Sequence, residues 1–184
     1  MKVLSVQPTP NPNAYKFFLD RTVSPKARDL ADRSKAEGDA LSQALFSIPG
    51  VKALFYLEDF VTVTWDDKAN WRTVTDQVRT VLETHEVDTT TMPQSGGDAV
   101  AAAAQAVDDA ELMTKIDALL DDRVRPALAG DGGGLEILGL ESKVLKIRYQ
   151  GACGSCPSSI AGTLAAIQNM LQSEVDEELS VISV

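Results

Sequence analysis

The sequence predicts an α+β protein made of two small α/β domains joined by a flexible linker, and three observations carry that reading. The 184 residues are 44% apolar and 24% charged, ordinary for a globular chain and enough for one ordinary domain or two small ones. Residues 88–107, DTTTMPQSGGDAVAAAAQAV, form a Thr run, a Pro, Ser-Gly-Gly and an Ala run. Such a stretch cannot bury enough surface to offset its ordering entropy. On either side of it, β-branched and aromatic runs alternate with stretches of helical periodicity. The expected division is a first domain over 1–87, a linker over 88–107, and a second domain over 108–184.

In the first domain an early strand around Ser5–Val6 leads into Thr9-Pro10-Asn11-Pro12-Asn13, a Pro/Asn turn cluster that no helix tolerates. Tyr15–Leu19 reads as the second strand. Asp39–Ile48 fits a helix, with Leu41, Leu45 and Ile48 on one face, and Pro49-Gly50 stops it. Val51–Leu57 and Phe60–Trp65 are β-branched and aromatic and are separated only by Glu58-Asp59, so they read as a hairpin. Trp71–Glu83 reads as a closing helix, with Val74, Val78, Val81 and Leu82 toward the core. Trp65 and Trp71 are expected to be core or domain-contact residues.

The second domain opens with one helix over Asp108–Leu128, its stripe formed by Leu112, Ile116, Leu119 and Leu120. Asp108, Asp109 and Glu111 suit the positive end of its dipole. Leu135–Leu140 and Lys143–Gln150 read as a hairpin, the second strand alternating Leu145, Ile147, Tyr149 with Lys146, Arg148, Gln150. A helix follows over Pro157–Gln172, with Ile160, Leu164, Ile167 and Leu171 on one face, and Leu179–Val184 is a last strand. The C-terminal order is therefore α-β-β-α-β.

Charge excludes some functions. The net charge is −10, and residues 91–184 hold 6 of the 17 basic side chains but 14 of the 27 acidic ones. Neither nucleic acid nor an anionic membrane is expected as a partner, because both need a basic stripe. No apolar run approaches the ~20 residues that span a bilayer. The N-terminus has neither a signal-peptide h-region nor the Arg/Ser richness of a transit peptide. A cytoplasmic protein is the expectation.

The strong chemical signal is Gly151-Ala152-Cys153-Gly154-Ser155-Cys156-Pro157-Ser158-Ser159. Two thiolates three positions apart at a strand-to-helix turn can bind one metal through both sulfurs. Pro157 suits the first helical position, and the helix N-terminus stabilises thiolate charge. Small neighbours let a cluster or a second polypeptide approach the backbone. Iron–sulfur clusters and structural zinc sites generally take four protein ligands. The chain has 2 cysteines and 1 histidine, so two copies about a two-fold axis would supply the four thiolates. A site split between subunits suits a cluster that must be released. The competing reading is a thioredoxin-like dithiol. Against it, no βαβ unit leads into the motif, and no later proline precedes a strand. Two inert buried cysteines fit worse, since glycine and serine surround them.

Other features carry less. Gly130-Asp131-Gly132-Gly133-Gly134 resembles a phosphate loop but runs from helix to strand and lacks Gly-Lys-Ser/Thr. It reads as a connection needing positive φ, which packs beside the cysteine loop. His85, at a helix end, reads as a surface or capping residue. One histidine leaves little scope for acid–base catalysis, so a non-enzymatic role is expected.

The Gly130–Gly133 run followed by Gly151-x-Cys153-x-x-Cys156-Pro157-Ser158-Ser159 resembles the C-terminal domain of Nfu-type iron–sulfur cluster scaffolds and carriers. The Thr9–Asn13 cluster, Pro49-Gly50-Val51, Asp59–Val63 and Trp71 resemble the N-terminal domain of the two-domain members. The resemblance implies a [4Fe–4S] cluster bound between two subunits, with Cys153 and Cys156 of each chain as its ligands. It also implies a homodimer when cluster-bound, delivery to apo iron–sulfur client proteins, supply by upstream cluster-assembly proteins, and client recognition by the N-terminal domain. Because the chain starts almost directly at that domain, a bacterial cytoplasmic protein is expected.

Overall fold

The computed structural model describes residues 1–85, 108–155 and 157–184. In the N-terminal half, β1 (Val3–Pro8), β2 (Ala14–Leu19), β3 (Ser24–Leu30), β4 (Val51–Glu58) and β5 (Phe60–Trp65) form one sheet in the order β1-β2-β5-β4-β3. All its pairings are antiparallel. Two helices cover one face, α1 (Ala40–Phe46) and α2 (Trp71–Thr84). Asp39 caps α1 by accepting from the amides of Leu41 and Ser42, and Asn70 caps α2 through Arg72. Leu41, Leu45, Val74, Val78 and Leu82 from these helices pack on Phe17, Leu19, Leu54, Tyr56, Val61 and Val63.

The C-terminal half has its own core. A helical rod runs from α3 (Asp108–Leu119) through a π turn (Leu120–Val124) into α4 (Arg125–Gly130). Then come β6 (Gly133–Glu141), β7 (Val144–Gly151), α5 (Pro157–Glu174) and β8 (Ser180–Ser183). The sheet order is β6-β7-β8, with β6 and β7 antiparallel and β7 and β8 parallel. Ser142 and Lys143, both at positive φ, close the β6–β7 hairpin as a two-residue turn of matching twist requires. Ile116, Leu120, Leu128, Leu145, Ile147, Ile167 and Leu171 are buried together.

The expected elements are present, with three differences. The strand β3 was not foreseen. Its sequence SPKARDL contains Pro25 and little apolar surface, which suits its place at the sheet edge, where a missing N–H costs least. The single helix over Asp108–Leu128 contains the π turn because Pro126 cannot donate to the carbonyl four residues back. The widened turn instead lets the Arg125 amide reach Leu120 O. Trp65 is core, but Trp71 is 46% exposed. It stands at the start of α2 with its ring edge-on to Tyr15, 5.8 Å between centroids. The expected linker, 88–107, lies outside the described residues.

Candidate functional site

The cysteine loop leaves the end of β7. Gly133 pairs with Gly151 across the hairpin, and Ala152 N–H donates to Gly132 O at 3.3 Å. The glycine run and the cysteine loop are therefore neighbours, as the sequence led us to expect. Ala152–Ser155 then forms a 3-10 turn that carries the Cys153 backbone, and α5 begins at Pro157. Cys156 lies outside the described residues. Gly154 is exposed at the tip of the turn. A Cβ there would stand 2.9 Å from Tyr149 O, so only glycine fits. Gly151 is at φ +64, and a Cβ on it would meet Gly132 O at 2.8 Å and Phe55 at 2.8 Å. Among the described residues no group of three or more Cys, His, Asp or Glu could hold a metal ion. His85 is the C-cap of α2, its amide donating to Val81 O.

What the sequence did not announce is the other wall of this site, supplied by the N-terminal sheet. Its face away from α1 and α2 packs on Gly132, Gly134, Gly151 and Ala152. A Cβ on Gly132 would stand 2.9 Å from both Thr62 Oγ1 and Thr9 Cγ2, and one on Gly134 3.1 Å from Phe55. Three polar side chains reach across. Asn11 Nδ2 donates to Ala152 O at 3.1 Å, the Gly151 amide donates to Asp29 Oδ1 at 3.0 Å, and Lys16 Nζ donates to Ala129 O at 2.6 Å. Burial lowers the Lys16 pKa, against the pull of Asp59 and Asp131. The Lys16 ammonium also lies 3.9 Å from the centre of the Phe60 ring, a favourable cation–π geometry. Burial pushes the Asp29 carboxyl up, outweighing the bond from Gly151.

Asn11, Lys16 and Phe55 were read as turn or strand residues, and Asp29 was given no element. The one signal available was alternation. Lys16 and Thr62 occupy the strand positions opposite the apolar core, where solvent is the ordinary neighbour. Here both are buried.

Two family models match the chain, "Scaffold protein Nfu/NifU N terminal" over residues 4–88 and "NifU-like domain" over residues 116–182. Among curated proteins it is similar to a mitochondrial NFU1 iron-sulfur cluster scaffold homolog of Drosophila ananassae, 33% identical over 97% of this chain and 63% of that protein. It is likewise 34% identical to the mitochondrial NifU-like protein 4 of Arabidopsis thaliana, over 95% of this chain and 63% of that one. Among solved structures, the crystal structure of protein SAV1430 from Staphylococcus aureus matches with TM-score 0.40 and 29% identity, covering 45% of this chain and 99% of that one. The solution structure of a NifU-like protein from Saccharomyces cerevisiae matches with TM-score 0.38 and 24% identity, over 45% and 77%. The expectation of a bacterial cytoplasmic protein is corrected by these relatives, which are mitochondrial by name. The chain spans 63% of their length, so its first residue carries no information about targeting. With both models matched in this order along most of its length, the chain belongs to the Nfu/NifU family of iron–sulfur cluster scaffold proteins.

Proposed function

We propose that two copies of this chain hold one [4Fe–4S] cluster through Cys153 and Cys156 of each, and hand it to apo-proteins. The cluster is cargo, and the protein is a carrier, not a catalyst. The observation that carries the reading is the ligand count. The chain has 2 cysteines, and the backbone of one lies in a tight turn with an exposed glycine beside it. Four thiolates then require a second chain. The positive N-termini of two α5 helices would offset the charge of the thiolate-ligated cluster. Release would accompany separation of the subunits. Client apo-proteins and upstream assembly proteins are the partners this role needs, in a mitochondrial setting such as that named for the relatives. Residues 1–87 and 108–184 are proposed to be separate folding domains, with 88–107 as the linker.

The test is anaerobic reconstitution of the full chain with iron and sulfide, read by native mass spectrometry. A dimer carrying about four irons and four sulfides is expected, and Cys153→Ser or Cys156→Ser should abolish it while leaving the circular dichroism unchanged. A variant that kept a full cluster would refute the ligand assignment. A metal-free monomer with an oxidised Cys153–Cys156 pair would favour a thiol oxidoreductase instead.

A further inference from the structure

The Thr9-Pro10-Asn11-Pro12-Asn13 turn has no part in the proposed ligand set, yet it is tied both within itself and to the other half. Thr9 Oγ1 accepts from the Asn11 amide at 3.2 Å and lies 3.0 Å from the carbonyls of Asn11 and Ala14. Asn11 Oδ1 accepts from the Asn13 amide at 2.9 Å. The Asn11 side-chain amide is therefore anchored at its oxygen end within its own turn, and the residue is 5% exposed. Its nitrogen end points out of the turn, 3.1 Å from Ala152 O. That carbonyl belongs to the peptide whose nitrogen is the amide of Cys153.

A second grip comes from another strand. Asp29 on β3 accepts from the Gly151 amide at 3.0 Å. Together Asn11 and Asp29 hold a donor and an acceptor on either side of Ala152, and Ala152 is itself 1% exposed. The glycines make the approach possible, because a Cβ on Gly132 or Gly151 would collide with Thr9, Thr62 or Phe55. The grip thus acts on the base of the loop and leaves its tip, at Gly154, open to solvent.

We propose that Asn11 and Asp29 are positioning residues for the cysteine loop, fixing the Gln150–Gly151 and Ala152–Cys153 peptides so that Cys153 enters its turn in one orientation. The N-terminal half thereby forms part of the cluster-holding apparatus. This rests on the reading of Cys153 as a cluster ligand. A preorganised loop loses less freedom when the cluster binds, so the cluster is held longer. Among the described residues each grip is made by a hydrogen bond, and the loss of one is felt on that scale.

The test uses the reconstituted full chain and follows cluster loss to an iron chelator by the decay of its visible absorption. Asn11→Asp keeps the acceptor that ties the turn but sets an oxygen against Ala152 O. Asp29→Ala removes the acceptor for Gly151, whereas Asp29→Asn keeps one. Asn11→Asp and Asp29→Ala should each speed cluster loss by about three- to tenfold, the worth of one hydrogen bond. Asp29→Asn should restore a rate close to the native one. In the apo chain, the Gly151 and Cys153 amide resonances should move in the first two variants, while thermal unfolding keeps its cooperativity. Variants that load and release the cluster as the native chain does would overturn this proposal alone. A native chain that takes up no cluster, or a Cys153→Ser chain that keeps one, would overturn the ligand reading and this proposal together.

Discussion

The five-stranded sheet is buried on both faces, and the two faces are built from different chemistry. Toward α1 and α2 it presents Phe17, Leu19, Leu54, Tyr56, Val61, Val63 and Trp65, an apolar core. The charged pair on that side, Arg28 and Asp39, is joined at 2.7 Å, and Asp39 also accepts from Ser42. Toward the C-terminal half it presents Lys16, which meets Ala129 O at the end of α4, and Asp29, Phe55 and Thr62, which meet the glycine turns. Thr62 Oγ1 is fully buried there without a hydrogen-bond partner among the described residues. Burial alone therefore does not separate a core from an interface. The helix-side face is mainly apolar, although Arg28 Nε and Nη2 are buried there without a partner among the described residues, whereas the other face buries a lysine, a carboxylate and a hydroxyl that water would serve well. The first face is the core of the N-terminal half, and the second is its contact with the glycine turns of the C-terminal half.

The comparison can be broken from either side. Phe17→Ala, on the helix side, should cost about 3–5 kcal/mol by opening a cavity, seen as a lower urea midpoint for the N-terminal half. Gly151→Ala should leave that midpoint in place but part the two halves. It forces a residue with a side chain to φ +64 and drives its Cβ into Phe55, a penalty of about 1–3 kcal/mol. Nuclear relaxation should then show the halves tumbling separately. If the midpoint fell as far as it does for Phe17→Ala, the two faces would be one core.

Acid should act on the two faces in opposite directions. At Asp39 burial alone would raise the pKa, but hydrogen bonds from Ser42 and Arg28 together outweigh it, and the carboxyl sits below its ordinary value. Stability from a depressed carboxyl is present above the unfolded value, about 4, and is lost as pH falls below it. At Asp29 burial raises the pKa, with Glu136 adding to the rise while Gly151, Lys35 and Arg148 oppose it. The docked state then binds the proton more readily than the open one. Docking should strengthen as pH falls from neutral toward 4, and the N-terminal half should weaken only below that. Amide shifts of Gly151 and a denaturation series across pH 3–7 would separate the two effects; shifts independent of pH would remove Asp29 from the contact. The smallest change is expected from Thr62→Val. It deletes the unpaired hydroxyl at nearly constant volume and should favour docking by up to about 1 kcal/mol, read as slower exchange of the Gly151 amide.

Much of this molecule is legible along the chain because its elements are written in local patterns. The β4–β5 hairpin, α1 with its Asp39 cap and the Leu145-Ile147-Tyr149 alternation appear where their periodicities place them. The strand β3 was not legible, because an edge strand carrying Pro25 and four charged or polar neighbours has no apolar alternation to read. The π turn was not legible either, since Pro126 announces an interruption without saying whether the helix breaks or widens. The candidate ligands were evident as a C-x-x-C pair, but the residues that brace their loop were not. Asn11 and Asp29 come to Ala152 and Gly151 from 141 and 122 positions away, and no short-range pattern encodes such a meeting.

Local sequence determined most of the two α+β layouts and set a C-x-x-C pair between the sequence of β7 and that of α5. Those follow from side-chain periodicity and from proline and glycine, all of which are properties of the chain itself. Only the tertiary structure decided what the glycine run is for and that both faces of the sheet's central strand β5 are buried. A glycine reports that a side chain is forbidden at its position, but what forbids it at Gly132 and Gly151 is Thr9, Thr62 and Phe55 of the other half, brought there by the packing of one sheet on another strand's end.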